Sequence, residues 1–385
     1  MLVNICLLSP YHGGSHKAWA QGYREHSRYP IRLLTLPPRF WKWRMHGGAI
    51  TLAGKFLQSA ESTDLILSTD MLDLSLFLSL TRRQVARSRV VLYMHENQLT
   101  YPLPSDPKTG PMRRQKGERD LHYAFINLAS MLVADRVFFN SCYHLESWFD
   151  ALPSFLRGLP ELKELKRIPH LRHKSRVLPV GIDLQRLDSD SAPSPSDQST
   201  LPSTNLAPLI LWNHRWEFDK DPEAFFAALL HLEQESLPFR LAVCGQSFGH
   251  QPTVFDEAQA RFGSHLIHFG FAPERRYREL LREADITVST ARHEFFGIGV
   301  LEAVYSGAFP ILPARLSYPE LLGDQAGRLC FYRDPSELVS RLRWAVGRPE
   351  EREHAAAGLR KIAARFDWTE LAPRYDSEML QLWGG

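Results

Sequence analysis

Residues 293–312 read HEFFGIGVLEAVYSGAFPIL, and this stretch decides the fold. Its polar start and the apolar runs that follow predict a loop, a helix and then a buried strand. We expect Glu294 in the loop and Gly297 with Ile298 at the start of the helix, which places Glu302 about one turn inside it. A helix that leads into a buried strand is the repeating unit of a parallel α/β sheet.

Glu294 and Glu302 are the two acidic residues of this stretch. Their spacing puts them about 80° away from a common helix face at 100° per residue, so they cannot act as one pair of carboxylates. Backbone N–H groups at Gly297 and Ile298 suit a phosphate or a sugar hydroxyl, because helix N-termini attract anions. We therefore expect two separate acidic ligands in one binding site.

The alternation of strand-like and helical runs continues in both directions from this stretch. Helical patterns such as 16–27 and 118–134 separate apolar runs that are typical of buried strands. The predicted strands are 2–9, 31–36, 64–69, 89–94, 136–140 and 176–180 in the first half, and 208–213, 239–245, 265–270, 285–290 and 308–313 in the second. The pattern predicts an α/β protein with two facing Rossmann-like domains and a cleft between them.

The domain boundaries follow from composition. Residues 186–207 are rich in Ser and Pro with little apolar content, which is typical of a flexible linker. We predict a first domain over 1–185, a second domain over 208–370, and a C-terminal helical segment over 371–385. The amphipathic pattern of that helix begins at Trp368 and allows it to pack on either domain.

Length and composition indicate a globular protein of more than one domain. The 385 residues exceed one ordinary core, and no apolar run approaches the ~20 residues needed to span a bilayer. The first residues lack the basic region of a secretory signal. The cysteines are scattered in or beside apolar stretches, which predicts buried thiols at Cys6, Cys142, Cys244 and Cys330. We therefore expect a cytoplasmic protein.

The net charge of +3 conceals an asymmetry between the two halves. Residues 1–183 carry 25 Lys and Arg against 15 Asp and Glu, whereas residues 184–385 carry 21 against 28. The first half is thus +10 and the second half −7. Such a split points to a polyanionic partner of the first half, and the alternative is a chance difference between solvated faces.

Arg215 and Lys220 lie in the segment 212–222, after a predicted strand and before a predicted helix. Ligands of doubly wound sheets gather at the carboxyl ends of strands, so both cations are placed to meet one. A bound diphosphate needs such cations, since each charged hydrogen bond contributes roughly 1.5–3 kcal/mol. In an isolated loop the same residues would usually be solvated.

Two segments of the first half have the same kind of position. Gly13 and Gly14 lie between a strand and a helix with His12 before them, and the histidine suits either a substrate contact or a structural role. His95 follows a buried strand, and Asn97 in the same loop suits acceptor hydroxyls. No acidic or histidine pattern has the spacing of a metal site, so we expect no metal.

The stretch 293–312 resembles the Glu-x7-Glu signature of retaining GT-B glycosyltransferases, and the likeness covers residues 206–370. The resemblance implies a GT-B fold and a nucleotide sugar as donor substrate, with no separate cofactor. It implies that Glu294 binds hydroxyls of the donor sugar and that Glu302 binds the ribose.

The same resemblance assigns the other loops. It implies that Arg215 and Lys220 bind the donor pyrophosphate and stabilise the leaving group. It implies that the loop with Gly13 and Gly14 crosses the donor phosphates and that His95 positions the donor sugar. In enzymes of this type the leaving phosphate itself takes the acceptor proton, so that no general base is required.

The first half is similar to one particular family, the tRNA-queuosine α-mannosyltransferases. The similarity is carried by PYHGGSHKAWAQGY, LPPRFWKWRMHGGA, MHENQLTYP and FINLASMLVADRVFFNSCYHLESW, at residues 10–23, 36–49, 94–102 and 125–148. It implies transfer of mannose from GDP-mannose to the cyclopentenediol of queuosine, at the wobble position of tRNA-Asp, with retention. It implies no membrane and no obligate protein partner.

A tRNA acceptor needs phosphate-binding cations, and the basic first half supplies them. We favour Arg113, Arg114 and Lys116 in the stretch 108–120 as the RNA contact. Further basic clusters are Arg39/Lys42/Arg44, Arg82/Arg83/Arg87/Arg89 and Lys163/Lys166/Arg167/Arg172/Lys174. The aromatic residues within the first of them stack on an unpaired base or fill a core, and these are Phe40, Trp41 and Trp43.

Three other functions fit parts of the pattern. A GT-B transferase with a lipid or polysaccharide acceptor is the first, although an exposed basic amphipathic helix would then be expected. A nucleotide-sugar epimerase is a second and weaker interpretation. A non-catalytic RNA-binding protein on a decayed transferase fold is the third, and the presence together of Glu294, Glu302, Arg215 and Lys220 speaks against decay.

Overall fold

The computed structural model describes residues 3–59, 61–102, 121–188, 207–246, 252–323 and 327–384. The chain forms two compact units. The first joins Met1–Asp183 to Phe366–Gly385, and the second consists of Leu184–Arg365. Each unit is an α/β structure with one parallel sheet, which confirms the predicted fold class.

The first unit contains a six-stranded sheet in the order β2-β1-β3-β4-β5-β6, with every neighbouring pair parallel. Its strands are β1 Ile5–Ser9, β2 Ile31–Thr35, β3 Leu65–Thr69, β4 Arg89–Met94, β5 Arg136–Phe139 and β6 Ser175–Val177. Its helices are α1 Gly14–His26, α2 Trp41–Leu57, α3 Leu74–Thr81, α4 Leu121–Val133, α5 Cys142–Arg157, α6 Ile168–His173 and the C-terminal α15 Trp368–Gly384.

The second unit contains a six-stranded sheet in the order β12-β11-β10-β7-β8-β9, again with parallel neighbours. Its strands are β7 Leu209–Asn213, β8 Arg240–Cys244, β9 Leu266–Gly270, β10 Ile286–Val288, β11 Phe309–Pro313 and β12 Phe331–Tyr332. Its helices are α7 Pro222–Gln234, α8 Val254–Arg261, α9 Glu274–Glu283, α10 Ile298–Tyr305, α11 Tyr318–Leu322, α12 Pro335–Gly347, α13 Pro349–Ala356 and α14 Leu359–Ala364.

The central strands are buried over their whole length. Every residue of β1, β3 and β11 is buried, which requires helices on both faces of the sheet. The continuous apolar runs of the sequence reflect this double coverage, since a strand with one solvated face would alternate polar and apolar residues. The strand order of the second unit, counted from β7, is the 3-2-1-4-5-6 order of a dinucleotide-binding sheet.

The C-terminal helix α15 belongs to the first unit, although it follows the second unit in sequence. Trp368 needs room there that two glycines provide, because a Cβ at Gly22 or Gly181 would lie within 2.5 Å of its indole. The Trp19 indole N–H donates to the Tyr375 hydroxyl at 3.0 Å across the same contact. These tertiary contacts decide which of the two predicted docking positions the helix takes.

Two boundary predictions differ from the structure. The second unit begins at Leu184 and ends at Arg365, rather than running from 208 to 370. Residues 185–187, where the predicted linker begins, form a short 3-10 helix that packs on the second unit. Most of the predicted linker, residues 189–206, lies outside the described residues.

Two further observations concern predictions made from composition. Cys6, Cys244 and Cys330 are buried as predicted, whereas Cys142 at the start of α5 is exposed. None of the described helices has the length and the apolar character that a membrane span requires.

Candidate functional site

Ligands of doubly wound sheets bind in the crevice at the carboxyl ends of the strands, at the point where the strand order reverses. In the second sheet this point lies between β7 and β10. The loop after β7 carries Arg215 and Lys220, and the loop after β10 carries Glu294. The fold therefore brings together residues that lie more than seventy positions apart in sequence. We take this edge of the second unit as the candidate site.

Lys220 is the centre of this site. Its side chain is only 5% exposed, and its Nζ donates to the backbone carbonyl of His293 at 2.7 Å and to Glu294 Oε2 at 3.2 Å. A second carboxylate, Asp219, is 3.2 Å from the same Nζ and is almost fully buried. One buried cation thus lies between two carboxylates that belong to different loops.

The charges of this cluster support one another. Burial acts to raise the pKa of Glu294, but the Lys220 ammonium, His214 and the Phe296 N–H together outweigh it and lower that pKa to about 2. Burial acts to lower the pKa of Lys220, and Glu294 with Asp219 raises it above its ordinary value. Burial and the nearby Lys220 lower the pKa of His214 and of His293 to about 4. At neutral pH the site therefore holds ionised Glu294, charged Lys220 and neutral histidines.

Hydrogen bonds connect the two loops rigidly. The Arg292 backbone N–H donates to the Asp219 carbonyl at 2.8 Å, and the Thr290 hydroxyl donates to the Lys220 carbonyl at 2.8 Å. The Arg292 guanidinium makes a bidentate pair with Asp221, with both distances at 2.8 Å. The loop after β7 and the loop after β10 are therefore positioned as one body.

Helix α10 begins where the sequence predicts. Gly297 precedes its first residue, Ile298, and has a φ of 111°, a region that favours glycine. A Cβ at Gly297 would also lie 3.1 Å from the Tyr318 ring, so both conformation and space require a glycine. The N–H groups in the first turn of a helix have no acceptor within it, and here they lie beside Glu294 in the chain.

Glu302 lies one turn inside α10, as predicted, and is nearly fully buried. The Tyr277 hydroxyl donates to its Oε2 at 2.8 Å, and the Arg186 guanidinium donates to its Oε1. Burial raises the pKa of Glu302, and the Arg186 charge opposes that rise. Asn213 at the end of β7 donates to the Tyr277 hydroxyl at 3.0 Å, which joins this network to the crevice.

Arg215 differs from Lys220 in its surroundings. Its side chain is half exposed and forms an ion pair with Glu217 at 3.4 Å between Nη1 and Oε1. Burial raises the pKa of that glutamate, and Arg215 opposes the shift. The structure thus provides one buried cation and one accessible cation in the same loop.

The first unit has its own reversal of strand order, between β1 and β3. The loop after β1 contains His12, whose Nδ1 lies 3.0 Å from the Ser9 hydroxyl. Burial and nearby cations lower the pKa of His12. Gly13 and Gly14 lead directly into α1, and a Cβ at Gly13 would lie 2.5 Å from the Pro38 ring. Close packing of two loops therefore requires the glycine at position 13.

His95 follows β4 at the same edge of the first sheet and is enclosed by aromatic rings. Its ring centroid is 4.4 Å from that of His16 and 4.7 Å from that of Trp19. Burial and the neighbouring histidines lower its pKa well below the ordinary value, so the ring is neutral. Its Nε2 has no hydrogen-bond partner among the described residues.

Asp70 holds the His95 backbone in place. It follows β3 directly, is fully buried, and its Oδ1 accepts the His95 N–H at 2.8 Å. Burial and the charge of Glu96 raise its pKa well above the ordinary value. Sequence analysis did not single out Asp70, although an acidic residue at the carboxyl end of a buried strand is a recognisable signal.

The structure corrects the prediction for Asn97. Its side chain is fully buried, and its Oδ1 accepts the N–H groups of Leu99 and Thr100 at 3.0 and 2.8 Å. Asn97 therefore shapes the turn after β4, and it is not exposed to an acceptor hydroxyl. The predicted RNA contacts Arg113, Arg114 and Lys116 lie outside the described residues.

Three further site residues were missed by sequence analysis. Asp219 is adjacent to Lys220 but carries no motif of its own. Tyr277 belongs to the amphipathic helix α9, where its pattern is that of an ordinary helix residue. Arg186 lies where the Ser/Pro-rich composition predicts a linker, so only the tertiary structure reveals its contact with Glu302.

The first unit and the second unit match different family models. Residues 4–182 match the model described as tRNA-queuosine alpha-mannosyltransferase N-terminal. Residues 198–361 match the model described as glycosyl transferases group 1.

Two individual proteins are also similar to this chain. A tRNA-queuosine alpha-mannosyltransferase of Drosophila melanogaster is 32% identical over 323 residues, which cover 83% of this chain and 81% of that protein. A GDP-mannose:cellobiosyl-diphosphopolyprenol alpha-mannosyltransferase of Xanthomonas oryzae is 23% identical and covers 53% of this chain and 52% of its own length.

Among solved structures, sucrose-phosphate synthase from Thermosynechococcus elongatus superimposes with a TM-score of 0.72 at 16% identity, covering 99% of both chains. This likeness shows the fold, which is GT-B. The Drosophila relative extends across both units at a level of identity that shows common descent. The chain is thus a glycosyltransferase and belongs to the tRNA-queuosine alpha-mannosyltransferase family.

Proposed function

We propose that this enzyme transfers mannose from GDP-mannose to the cyclopentenediol of queuosine at the wobble position of tRNA-Asp, with retention of the anomeric configuration. The observation that carries the proposal is the match of residues 4–182 to the family's own N-terminal model, together with the 32% identity to the Drosophila relative over 83% of this chain. The reaction takes place in the cytoplasm, where tRNA is used, and needs no cofactor beyond the donor substrate.

The donor lies at the crevice of the second unit in this proposal. Glu294 accepts hydrogen bonds from sugar hydroxyls, a role supported by its lowered pKa of about 2, which keeps both oxygens acceptors at neutral pH. Glu302 binds the ribose, and the N–H groups at Gly297 and Ile298 bind the phosphate or a sugar hydroxyl. Arg215 provides an accessible charge for the pyrophosphate.

Lys220 has two roles in the proposal. It binds the leaving pyrophosphate together with Arg215, and it orients Glu294 through the contact between Nζ and Oε2. Two of the three donors of its ammonium group are hydrogen-bonded, to the His293 carbonyl and to Glu294, and the Asp219 carboxylate lies 3.2 Å from Nζ as an ion pair. Its effect on the diphosphate is therefore mainly that of a fixed positive charge in a poorly solvated site.

Residues of the first unit have further roles in the proposal. His95 positions the donor sugar as a neutral ring, with Asp70 fixing the backbone to which it belongs. Gly13 and Gly14 form the loop that crosses the donor phosphates, and His12 contacts the acceptor. The basic residues of the first unit bind the phosphates of tRNA. Helix α15 and the residue before it add four acidic side chains and one basic side chain to this unit, which therefore keeps a positive net charge.

The donor assignment is tested by supplying several nucleotide sugars with total tRNA and analysing the nucleosides after digestion. We expect mannosyl-queuosine from GDP-mannose, with an α linkage by proton NMR, and no comparable product from UDP-glucose or UDP-N-acetylglucosamine. Preference for a UDP sugar would overturn the donor assignment, and a β linkage would overturn retention. Either result would leave the family membership intact.

Replacing Arg186 by alanine tests the proposed ribose ligand. Glu302 would lose its charged partner, so its already raised pKa would rise further and its ionised form would be less favoured. We expect the KM for GDP-mannose to increase about 10- to 100-fold, since hydrogen bonds to charged groups contribute roughly 1.5–3 kcal/mol. The defect should become larger as the pH is lowered, because protonation of Glu302 removes the charged acceptor.

Arg360→Ala is the matched control for this experiment. Arg360 pairs with Asp188, which lies two residues after Arg186 in the chain. Its side chain is more exposed than that of Arg186, and it forms no ion pair with Glu302. Its KM for the donor should be close to that of the parent enzyme at every pH. Equal KM values for the two variants would refute the role given to Arg186 and, through it, to Glu302.

A further inference from the structure

Two aromatic side chains are exposed at the start of α2, at the carboxyl edge of the first sheet. Phe40 is 76% exposed and Trp43 is 62% exposed. The other eight tryptophans all lie within the described residues, and each of them is buried or half-buried. Trp41 between the two exposed rings packs on Tyr123 instead, with a centroid separation of 5.1 Å. The chain therefore buries the middle ring of the three and presents the outer two to solvent.

The surroundings of these rings are strongly basic. Residues 26–60 contain six Lys and Arg and no Asp or Glu. Arg39, Lys42 and Arg44 lie within four residues of the exposed rings and form no ion pair with any described residue. The basic cluster at 163–174 is different, because two of its arginines pair with glutamates. Lys42 Nζ lies 5.7 Å from the centroid of the Trp41 ring, and Arg44 Nε donates to the Pro37 carbonyl at 3.2 Å. No carboxylate among the described residues therefore neutralises the positive charge beside Phe40 and Trp43.

The backbone holds these rings in defined positions. The loop after β2 is bonded to the loop after β1 in both directions, through Leu36 with Ser9 and with His12, at 3.1 and 3.0 Å. Phe40 has a φ of 52°, a conformation that residues other than glycine rarely adopt. The aromatic surface therefore adjoins the loop with His12, which we have placed against the acceptor.

The Trp43 side chain packs against its own helix. A Cβ at Gly47, one turn further along α2, would lie 2.6 Å from the six-membered ring of the Trp43 indole. The ring therefore lies against Gly47, while Trp43 remains 62% exposed. A Cβ at Gly54 on the same helix would meet no described atom within 4 Å, so this glycine has no comparable function.

We propose that Phe40 and Trp43 form a stacking platform for unpaired bases of the tRNA anticodon loop, and that Arg39, Lys42 and Arg44 bind the phosphates of those nucleotides. Exposed aromatic rings interleaved with cations are the arrangement that binds single-stranded RNA, because bases stack while the backbone is neutralised. The proposal rests on the proposed function, since it supplies the contact that brings the wobble nucleotide to the enzyme.

An anionic membrane would also attract exposed aromatic rings and cations. The three unpaired cations are confined to the first turn of α2 and the residues before it, whereas Ile50 and Leu57 further along the exposed face have only Lys55 beside them. A helix lying on a membrane would need basic residues along its whole length. The charge distribution therefore favours a compact anionic partner at one end of the helix.

Trp43→Phe and Trp43→Leu separate stacking from simple burial of an apolar side chain. Both are apolar, but only phenylalanine presents a π face to a base. With a fluorescent RNA hairpin that contains the anticodon loop, we expect Trp43→Phe to bind nearly as tightly as the parent enzyme. Trp43→Leu and Phe40→Leu should each weaken binding about 5- to 100-fold, the range of one lost aromatic–base stack.

Gly47→Ala and Gly54→Ala form a matched pair on the same helix. Each adds one methyl group and the helix preference of alanine, but only Gly47→Ala displaces the Trp43 ring. The first should weaken hairpin binding and the second should leave it unchanged. In the parent enzyme the hairpin should also quench tryptophan fluorescence, and Trp43→Phe should lose that change.

Salt dependence separates the cations from the rings. Arg39→Ala and Lys42→Ala should each lower the slope of log Kd against log salt by about 1, whereas Trp43→Leu should leave the slope unchanged. A fully paired RNA duplex with the same number of phosphates should bind the parent enzyme and Trp43→Leu equally. The parent enzyme should bind phosphatidylserine vesicles little better than neutral vesicles. The difference in its affinity for the two kinds of vesicle should be no larger than that of the variants without these cations.

Hairpin binding by Trp43→Leu and Phe40→Leu that equals the parent value would overturn the platform, as would equal losses with the hairpin and the duplex. Tight binding of vesicles that is lost in Trp43→Leu would assign the surface to a membrane instead. If one of these results is obtained and the parent enzyme still mannosylates tRNA, only this inference fails. If the parent enzyme neither binds nor mannosylates tRNA, the proposed function fails as well.

Discussion

Glu294→Gln is expected to reduce kcat/KM for GDP-mannose by about 100- to 10,000-fold, because hydrogen bonds to a charged group contribute roughly 1.5–3 kcal/mol each and the proposal gives Glu294 two sugar hydroxyls. Glutamine has the shape of glutamate but removes the charge and turns one acceptor oxygen into a donor. Lys220 would retain Asp219 and the His293 carbonyl, so the fold should persist. Initial rates over a range of GDP-mannose concentrations, at saturating tRNA, measure the loss as kcat/KM.

Glu350→Gln provides the control for this prediction. It makes the same chemical change at an exposed position in the first turn of α13. Its rate should equal that of the parent enzyme, and circular dichroism of both variants should show unchanged folding. If Glu294→Gln transferred mannose at the rate of Glu350→Gln, Glu294 would not bind the donor sugar.

Lys220→Met is expected to give the largest loss of stability in the second unit. The substitution keeps the length of the side chain but leaves the carboxylates of Asp219 and Glu294 without their cation. Asp219 is only 1% exposed, and breaking a buried pair on one side costs about 3–5 kcal/mol. Urea unfolding monitored by circular dichroism should show the decrease in the free energy of unfolding.

A surface pair gives the comparison for Lys220. Arg343 pairs with Glu235 at an exposed position, so Arg343→Met should change the free energy of unfolding far less than Lys220→Met does. The double variant Lys220→Met/Asp219→Asn should recover part of the loss, because it removes one of the uncompensated charges. A Lys220→Met variant as stable as Arg343→Met would show that the cluster does not hold the two loops together.

Most of the strands could be predicted from the sequence for a physical reason. A strand buried on both faces is a short, continuous run of apolar residues, and such runs are distinct from the amphipathic helices between them. The runs 89–94 and 136–140 agree with β4 and β5 to within one residue. Strand β12 escaped prediction because two residues, Phe331 and Tyr332, carry no periodicity.

The docking of the C-terminal helix could not be predicted in the same way. The amphipathic pattern from Trp368 onward shows that one face is buried, but not against which unit. That choice depends on Gly22 and Gly181, whose missing side chains make room for the Trp368 ring. Such contacts join positions far apart in the chain and leave no local pattern.

The candidate site shows the same limit. The positions of Glu294, Gly297 and Glu302 could be predicted, because a loop followed by a helix start is encoded locally. Burial and pairing could not, since Lys220 lies between carboxylates from two loops only after the sheet has formed. Asn97 is the converse case. It lies in a loop after a buried strand, where a substrate contact is expected, but its side chain bonds the backbone of its own turn.

The central claim is that the acceptor is queuosine in tRNA. It is tested most directly with two preparations of tRNA-Asp that are identical except at the wobble position, one with queuosine and one with guanosine. Incubation of each with the enzyme and radiolabelled GDP-mannose should label only the queuosine-containing tRNA, and nuclease digestion should recover the label in one nucleoside. Equal labelling of both tRNAs, or labelling of neither, would contradict the account.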